Sequence, residues 1–240
     1  MPETDAIFAN IKEKDGQSMT DDTTKRIRID CKATVNIGAD SRGGKTRGDN
    51  QAADHDMGCK EKDTPFGMID EDTAQLALLF GSSAKTSDFI VDSLEHWWKQ
   101  LPLAERDDVT LLQIKLDNGP ESSGRRTQFL HRMVAFADTI GLPIQLLYDP
   151  PYHSKDNPVE RCWGILEQHW NGTQLVDVTT LLEWAKSMTW KGIKPLVDIS
   201  RKVYAKGVTL TKGAMKGVEA RLERNPNLPK WDILIRPDCG

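Results

Sequence analysis

The chain has 240 residues, of which 38% are hydrophobic, and it carries a formal net charge of −4 at pH 7. This length accommodates one large domain, or one domain with a small appendage. No apolar run approaches the roughly 18 residues of a membrane span, and the polar N-terminus lacks a signal-peptide core. We therefore expect a cytoplasmic protein without a membrane partner. The negative charge also argues against a surface that coats nucleic acid along its whole extent.

The first third of the chain predicts strands. Residues 1–24 are an acidic lead-in with little periodic apolar pattern, and predict no more than a short helix around Ile7 to Ile11. Apolar and polar side chains alternate strictly in residues 26–37, which predicts a long strand or a bent hairpin. Residues 38–64 contain five glycines and many charges, so we expect a long loop. Apolar runs at 65–70 and 75–81 predict two further strands.

From Ser87 onward the apolar spacing predicts helices that alternate with strands. The resulting order, β-β-β-α-β-α-β-α, predicts an α/β fold with a mixed five-stranded sheet and flanking helices, whose later strands run parallel to the first. Two more helices, at about 178–188 and 211–224, predict a helical C-terminal extension. We therefore divide the chain into the lead-in at 1–24, an α/β domain at 25–172 and the extension at 173–240.

Three acidic residues belong to elements that this order places at one edge of the sheet. Asp30 lies in the first strand, Asp117 ends the strand at 111–117, and Glu160 starts the helix that follows the strand at 144–149. In open α/β sheets, groups at the carboxyl ends of parallel strands and at nearby helix starts gather over one edge. The sequence therefore predicts that these three acids meet in space.

Three carboxylates packed together without cations repel one another, so such a cluster is unfavourable unless it holds metal. Oxygen ligands in this number suit Mg²⁺ or Mn²⁺. Two such ions about 3.5–4 Å apart activate the attacking oxygen and stabilise the leaving oxygen in phosphodiester chemistry. We therefore predict a two-ion site at Asp30, Asp117 and Glu160, and no other cofactor-binding residues.

Each acid also has a purely structural explanation. Asp30 is consistent with a solvated residue on the polar face of an edge strand, and Asp117 with the first residue of an Asp-Asn-Gly turn. Glu160 stands where a capping box places its acid, after Asn157 as N-cap and Pro158 at the first helical position. Spacing alone leaves these alternatives open.

Three stretches of the sequence, "RIRID", "LDNGPE" and "DPPYHSKDNPVERCWGILEQHW", resemble those of DDE insertion-sequence transposases. The pattern PPY-S-x-x-NP-(I/V)-E-x-x-W is similar to that of mariner-type elements and is specific. The resemblance covers nearly all of residues 7–235 and implies an RNase H-like catalytic domain of the kind shared with retroviral integrases. By motif it implies that Asp30, Asp117 and Glu160 are the catalytic, metal-binding acids.

One departure from the family concerns the N-terminus. Family transposases carry an N-terminal helix-turn-helix region that recognises the ends of the element, whereas only 29 residues precede Asp30 here. The chain is therefore expected to be a truncated gene product, or a catalytic domain without its own end-recognition module.

Basic residues near the predicted acids are candidates for DNA contacts. Arg42, Lys45 and Arg47 stand among glycines in the predicted loop, and such a loop suits a DNA backbone because glycine permits close approach and arginine pairs with phosphate. His153 and Lys155 precede the helix of Glu160, where a phosphate contact and an ordinary polar loop are equally consistent. The tryptophans stand at helical core spacing, so we interpret them as packing residues.

The leading hypothesis is a metal-dependent DNA transposase domain that cleaves DNA strands and joins the new 3′ end to target DNA. Its partners would be element ends and target DNA, with homo-oligomers or intact transposase as further candidates, and the protein would associate with the nucleoid when it acts. Two alternatives remain: an RNase H-like nuclease that does not join strands, and a non-catalytic relic that binds DNA or intact transposase.

Overall fold

The computed structural model describes residues 2–39, 59–151, 153 and 157–238. The predicted order of strands and helices up to residue 172 is confirmed, with one additional short helix at Leu103–Asp107. Its elements are β1 (Thr24–Cys31), β2 (Val35–Gly38), β3 (Cys59–Asp70), β4 (Leu76–Gly81), α2 (Ser87–Gln100), α3 (Leu103–Asp107), β5 (Leu111–Leu116), α4 (Thr127–Ile140), β6 (Ile144–Tyr148) and α5 (Pro158–His169).

The strands pair as the order predicts. β1 runs antiparallel to β3 and parallel to β5, and β6 runs parallel to β5. β2 also pairs antiparallel with β3, so the alternating segment at 26–37 is a bent strand and not a hairpin. β3 begins at Cys59, inside the segment predicted to be a loop. Its first half forms a strand because the ladder to β2, with Val35 opposite Asp63, satisfies its backbone groups.

The C-terminal segment differs from the prediction of a purely helical extension. Besides α6 (Val178–Ser187) and α7 (Lys212–Glu219) it contains β7 (Leu196–Ser200), β8 (Leu222–Arg224) and β9 (Asp232–Ile235). β7 adds to the edge at β4, β9 adds to the edge at β6, and β8 pairs with β9. These strands have three to five residues, too few to show a period, and form because existing sheet edges offer backbone partners.

The lead-in contains more helix than predicted. α1 (Pro2–Ser18) spans 17 residues. Ile7 and Ile11 are buried in the main hydrophobic core, and the Ser18 hydroxyl donates to Gln113 Oε1 at 3.3 Å. The helical pattern is weak in sequence because α1 buries few apolar side chains: among those described, the buried ones are Ile7 and Ile11.

Helices cover both faces of the sheet. Ala77 and Leu79 of β4 pack in one hydrophobic cluster with side chains of α1, α2 and α4, whereas Leu76, Leu78 and Phe80 pack in the other with side chains of α5 and α6. In the described parts of the chain, the sheet has nine strands in the order β7-β4-β3-β1-β5-β6-β9-β8, with β2 beside β3. No helix within the described ranges combines the length and apolar character that a bilayer span requires.

A buried ionic network lies on the sheet beside the edge where β1 and β5 end. The Arg28 guanidinium contacts Asp149 at 3.0 Å and Glu71 at 2.9 Å. The Lys115 ammonium contacts Glu71 at 2.6 Å and also pairs with Asp15 of α1. Burial alone raises the pKa of Glu71, but the Lys115 and Arg28 charges outweigh it and hold that pKa below its ordinary value. The network joins β1, β5, α1 and the turn after β3 through charges removed from water.

We predict that Lys115→Met lowers the free energy of unfolding by about 3–5 kcal/mol, because it leaves the buried Glu71 carboxylate short of a counter-charge. Urea denaturation measures this loss. The matched control is Lys99→Met, which removes an ammonium 3.9 Å from Glu95 and 65% exposed. That change should stay within about 0.5 kcal/mol. Equal effects of the two substitutions would contradict a stabilising role of the network.

Candidate active site

The structure brings Asp30, Asp117 and Glu160 together at one edge of the sheet. Asp30 lies in β1, Asp117 directly follows β5, and Glu160 lies in the first turn of α5. One carboxylate oxygen from each residue lies within 4.8 Å of the other two. The parallel pairing of β1 with β5 places the first two acids side by side, and the entry of α5 above that edge supplies the third.

Glu160 does not complete a capping box among the described residues. The Asn157 side chain caps α5 by accepting a hydrogen bond from the Val159 amide at 3.0 Å, and Pro158 takes the first helical position. Among the described residues, none donates a hydrogen bond to the Glu160 carboxylate. The helix start is thus stabilised without Glu160, whose side chain lies near Asp30 and Asp117 instead.

The charges of the triad act on one another. Burial, followed by the negative charges of Asp30 and Asp149, raises the pKa of Asp117 to about 6. Burial and the charges of Asp30 and Asp117 raise the pKa of Glu160, against an opposing effect of Lys32. Raised pKa values show that the ionised cluster is unfavourable without a nearby cation. Three hard oxygen donors at this spacing fit a divalent metal ion, so the triad can hold one.

Two hydrogen bonds tie the end of β1 to α5 and its cap, and one of them reaches the Asp30 carboxylate. Trp163 Nε1 donates to Asp30 Oδ2 at 2.6 Å, and Asn157 Nδ2 donates to the backbone oxygen of the preceding residue, Ile29, at 3.2 Å. Sequence reasoning treated Trp163 as a packing residue only and missed this bond. Its position three residues after Glu160, on the same helical face, is the pattern that indicates the contact.

A cleft of about 220 Å³ opens at the triad. Besides the acids it is lined by Lys85, which sequence reasoning did not single out. The exposed Lys85 ammonium donates to the Cys31 backbone oxygen at 3.2 Å, and its charge opposes the rise in the Asp117 pKa. Lys85 also lines a second cleft of about 400 Å³, together with Arg126 and Lys206. The two clefts therefore meet at a lysine beside the acids.

Most of the predicted DNA contacts cannot be placed. Arg42, Lys45, Arg47 and Lys155 lie outside the described residues. The His153 ring packs edge-on against Phe8 of α1, with ring centroids 4.9 Å apart. It does not belong to the described residues that line the triad's cleft.

Solved structures similar to this chain include two of Mos1 transposase. The paired-end complex with the left transposon end is 11% identical, with a TM-score of 0.52, over 75% of this chain and 51% of that chain. The strand transfer complex is 12% identical, with a TM-score of 0.51, over 75% of this chain and 50% of that chain. The chain thus spans about half the length of Mos1 transposase. The likeness confirms the predicted RNase H-like fold.

A comparison with curated proteins finds no match. Among protein families, the model of the Rhodopirellula transposase DDE domain matches residues 1–237, which include all three acids at the sheet edge. Because this match extends over nearly the whole chain, the protein belongs to the Rhodopirellula transposase DDE domain family.

Proposed function

We propose that the chain is a DDE transposase catalytic domain that cleaves DNA and joins the released strand to target DNA. The observation that carries the proposal is the convergence of Asp30, Asp117 and Glu160, with oxygens within 4.8 Å of one another, in a chain of this family. The acids come from three separate parts of the fold. Their proximity is electrostatically unfavourable, and bound cations would offset that repulsion.

The triad would hold two divalent ions, Mg²⁺ or Mn²⁺. Bound there, such ions supply Lewis-acid stabilisation of the oxygens that attack and leave phosphorus. The chain's own residues supply the placement. β1 and β5 fix Asp30 and Asp117 on a rigid sheet, and the capped start of α5 fixes Glu160 opposite them. A preorganised carboxylate set of this kind loses little entropy when it binds its charged ligands.

DNA would enter through the clefts that meet at Lys85. A phosphodiester at the triad needs a cation for its non-bridging oxygens, and Lys85 is the lysine that lines the triad's cleft. Arg126 and Lys206 in the adjoining cleft would contact the next phosphates along the strand. The predicted contacts by Arg42, Lys45, Arg47 and Lys155 would add to these, and an oligomer remains a prediction.

In the proposed reaction, water attacks a DNA phosphodiester and the bond to the 3′ oxygen breaks, which releases a 3′-hydroxyl. That hydroxyl then attacks a phosphodiester of target DNA and displaces its 3′ oxygen. Each step exchanges one bond to phosphorus for another, so no covalent intermediate with the protein is needed. An oligonucleotide with a pre-formed 3′-hydroxyl end tests the second step: joined products support a transposase, whereas cleavage without joining identifies the nuclease alternative.

We predict that Glu160→Gln folds normally but loses Mg²⁺-dependent nicking of supercoiled plasmid by at least about 100-fold, since a neutral amide cannot replace a charged metal ligand. Its melting temperature in EDTA should not fall, because Asn157 keeps the helix cap. Glu167→Gln on the same helix is the control, since Glu167 accepts from Trp170 and pairs with Lys32. Nicking that survives Glu160→Gln would rule out this mechanism.

We predict that Asp117→Asn stabilises the metal-free protein near neutral pH. Burial and Asp30 raise the Asp117 pKa from 3.8 to about 6, so the stability associated with its proton is present below pH 3.8 and is lost as pH rises through about 6. In EDTA the variant should therefore melt above wild type near neutral pH, by a margin that shrinks toward pH 3.8. Added Mg²⁺ should raise only the wild-type melting temperature. Identical melting curves near neutral pH in EDTA would show that the triad is not strained.

We predict that Lys85→Ala weakens binding to duplex DNA. The affinity should also fall less steeply with salt: the slope of log affinity against log salt should become less negative by about 0.9, the contribution of one phosphate contact. Fluorescence anisotropy between roughly 50 and 200 mM salt measures this slope. Lys99→Ala, on the exposed side of α2, is the control. An unchanged slope in Lys85→Ala would place the DNA elsewhere.

A further inference from the structure

Trp163 joins the helix that carries Glu160 to the strand that carries Asp30. Its indole is 4% exposed, yet its Nε1 lies 2.6 Å from Asp30 Oδ2. Glu160 and Trp163 are three residues apart on α5 and therefore share one helical face. The same turn of helix thus presents one acid of the triad and a hydrogen-bond donor to another.

The space for this indole comes from a glycine. Gly67 of β3 is paired directly with Asp30 of β1. A Cβ atom built on Gly67 would lie 2.8 Å from Trp163 Cζ2 and Cη2, and 2.8 Å from Val159 Cγ1. A larger residue at this position would clash with the indole and with Val159, so the present packing of α5 on β3 requires glycine here. The glycine, the aspartate and the tryptophan therefore form one fitted contact between sheet and helix.

The hydrogen bond has a chemical consequence at the carboxylate. An ionised aspartate has two oxygens with about four acceptor sites, and a donor held in place by packing fixes the rotation of the group. With Oδ2 engaged by the indole, the other oxygen and the remaining lone pairs stay available for a cation. Asn157 Nδ2, fully buried, donates to the Ile29 oxygen at 3.2 Å and holds the same helix start against β1.

We propose that Trp163 is a positioning residue of the metal site, whose indole N–H orients Asp30 toward a divalent cation and sets its distance from Glu160. This inference rests on the proposed function of the triad. Groups that donate to metal-binding side chains typically change metal affinity by roughly 10- to 100-fold when they are removed. Trp163 belongs to this class because it donates to Asp30, the proposed metal-binding side chain, and would not itself contact the ion.

The chain provides a matched control at the C-terminal cap of the same helix. Trp170, the capping residue of α5, is fully buried, and its Nε1 donates to Glu167 Oε2 at 2.8 Å. Replacing either tryptophan by phenylalanine removes one indole donor and a similar amount of packed volume. Only Trp163→Phe removes the donor to an acid of the triad.

Calorimetric titration of the purified chain with Mn²⁺ tests the proposal, and melting temperatures in EDTA report folding. Trp163→Phe should weaken Mn²⁺ binding by roughly 10- to 100-fold, with a melting temperature no lower than that of Trp170→Phe, which should bind Mn²⁺ like wild type. Wild-type Mn²⁺ affinity in Trp163→Phe would overturn the inference alone. Asp117→Asn should abolish the Mn²⁺ binding of the wild-type protein. If the wild-type protein shows no such binding, both the proposed metal site and this inference are overturned.

A measurement on the unmodified protein applies even if Trp163→Phe does not fold. The chain has seven tryptophans, whose indole N–H groups give separate nuclear magnetic resonance signals. Addition of Mg²⁺ should shift one indole signal far more than the rest, because the ion shares a carboxylate with that N–H, and Asp30→Asn should abolish the shift. If no indole signal follows the Mg²⁺ titration, the inference is wrong.

Discussion

Asp30, Asp117 and Glu160 repel one another, and the surrounding structure has to hold them together against that repulsion. Burial, followed by the negative charges of neighbouring acids, raises the pKa of Asp117 and Glu160, whose carboxylate oxygens lie within 4.8 Å of one another and of an Asp30 oxygen. Flexible loops carrying these acids would relax by moving apart. Here Asp30 and Glu160 belong to separate rigid elements and Asp117 directly follows a strand, so the acids cannot relieve their repulsion by moving apart.

The fold holds the acids in place through contacts on three sides. Pairing of β1 with β5, which sets Ile27 opposite Ile114, fixes the two aspartates relative to each other. Asn157 both caps α5 and ties it to β1, which fixes the glutamate. The buried Lys115 and its ionic partners join the same strands to α1. The lead-in helix is therefore connected, through Lys115 and the Ser18–Gln113 hydrogen bond, to the strand that precedes Asp117.

Two side chains combine a structural contact with a place at the site. Trp163 fills the space above Gly67 and at the same time donates to Asp30, a combination that phenylalanine could not provide. Lys85 donates to a backbone oxygen of β1 while its charge faces two clefts. The site thus extends beyond its acids to residues whose packing or backbone contacts keep them in position.

Sequence alone predicted the order of the main elements and the meeting of Asp30, Asp117 and Glu160 in space, because apolar periodicity is a local property and carboxyl ends of parallel strands share an edge. It could not place β7 and β9, which form on the free edges of β4 and β6, or β8, which pairs with β9. It also could not distinguish Trp163 of α5 from Trp170 at the cap of that helix, two buried tryptophans with different acceptors. Hydrogen-bond partners and electrostatic neighbours depend on distances between segments far apart in the chain, and only the tertiary structure sets those distances.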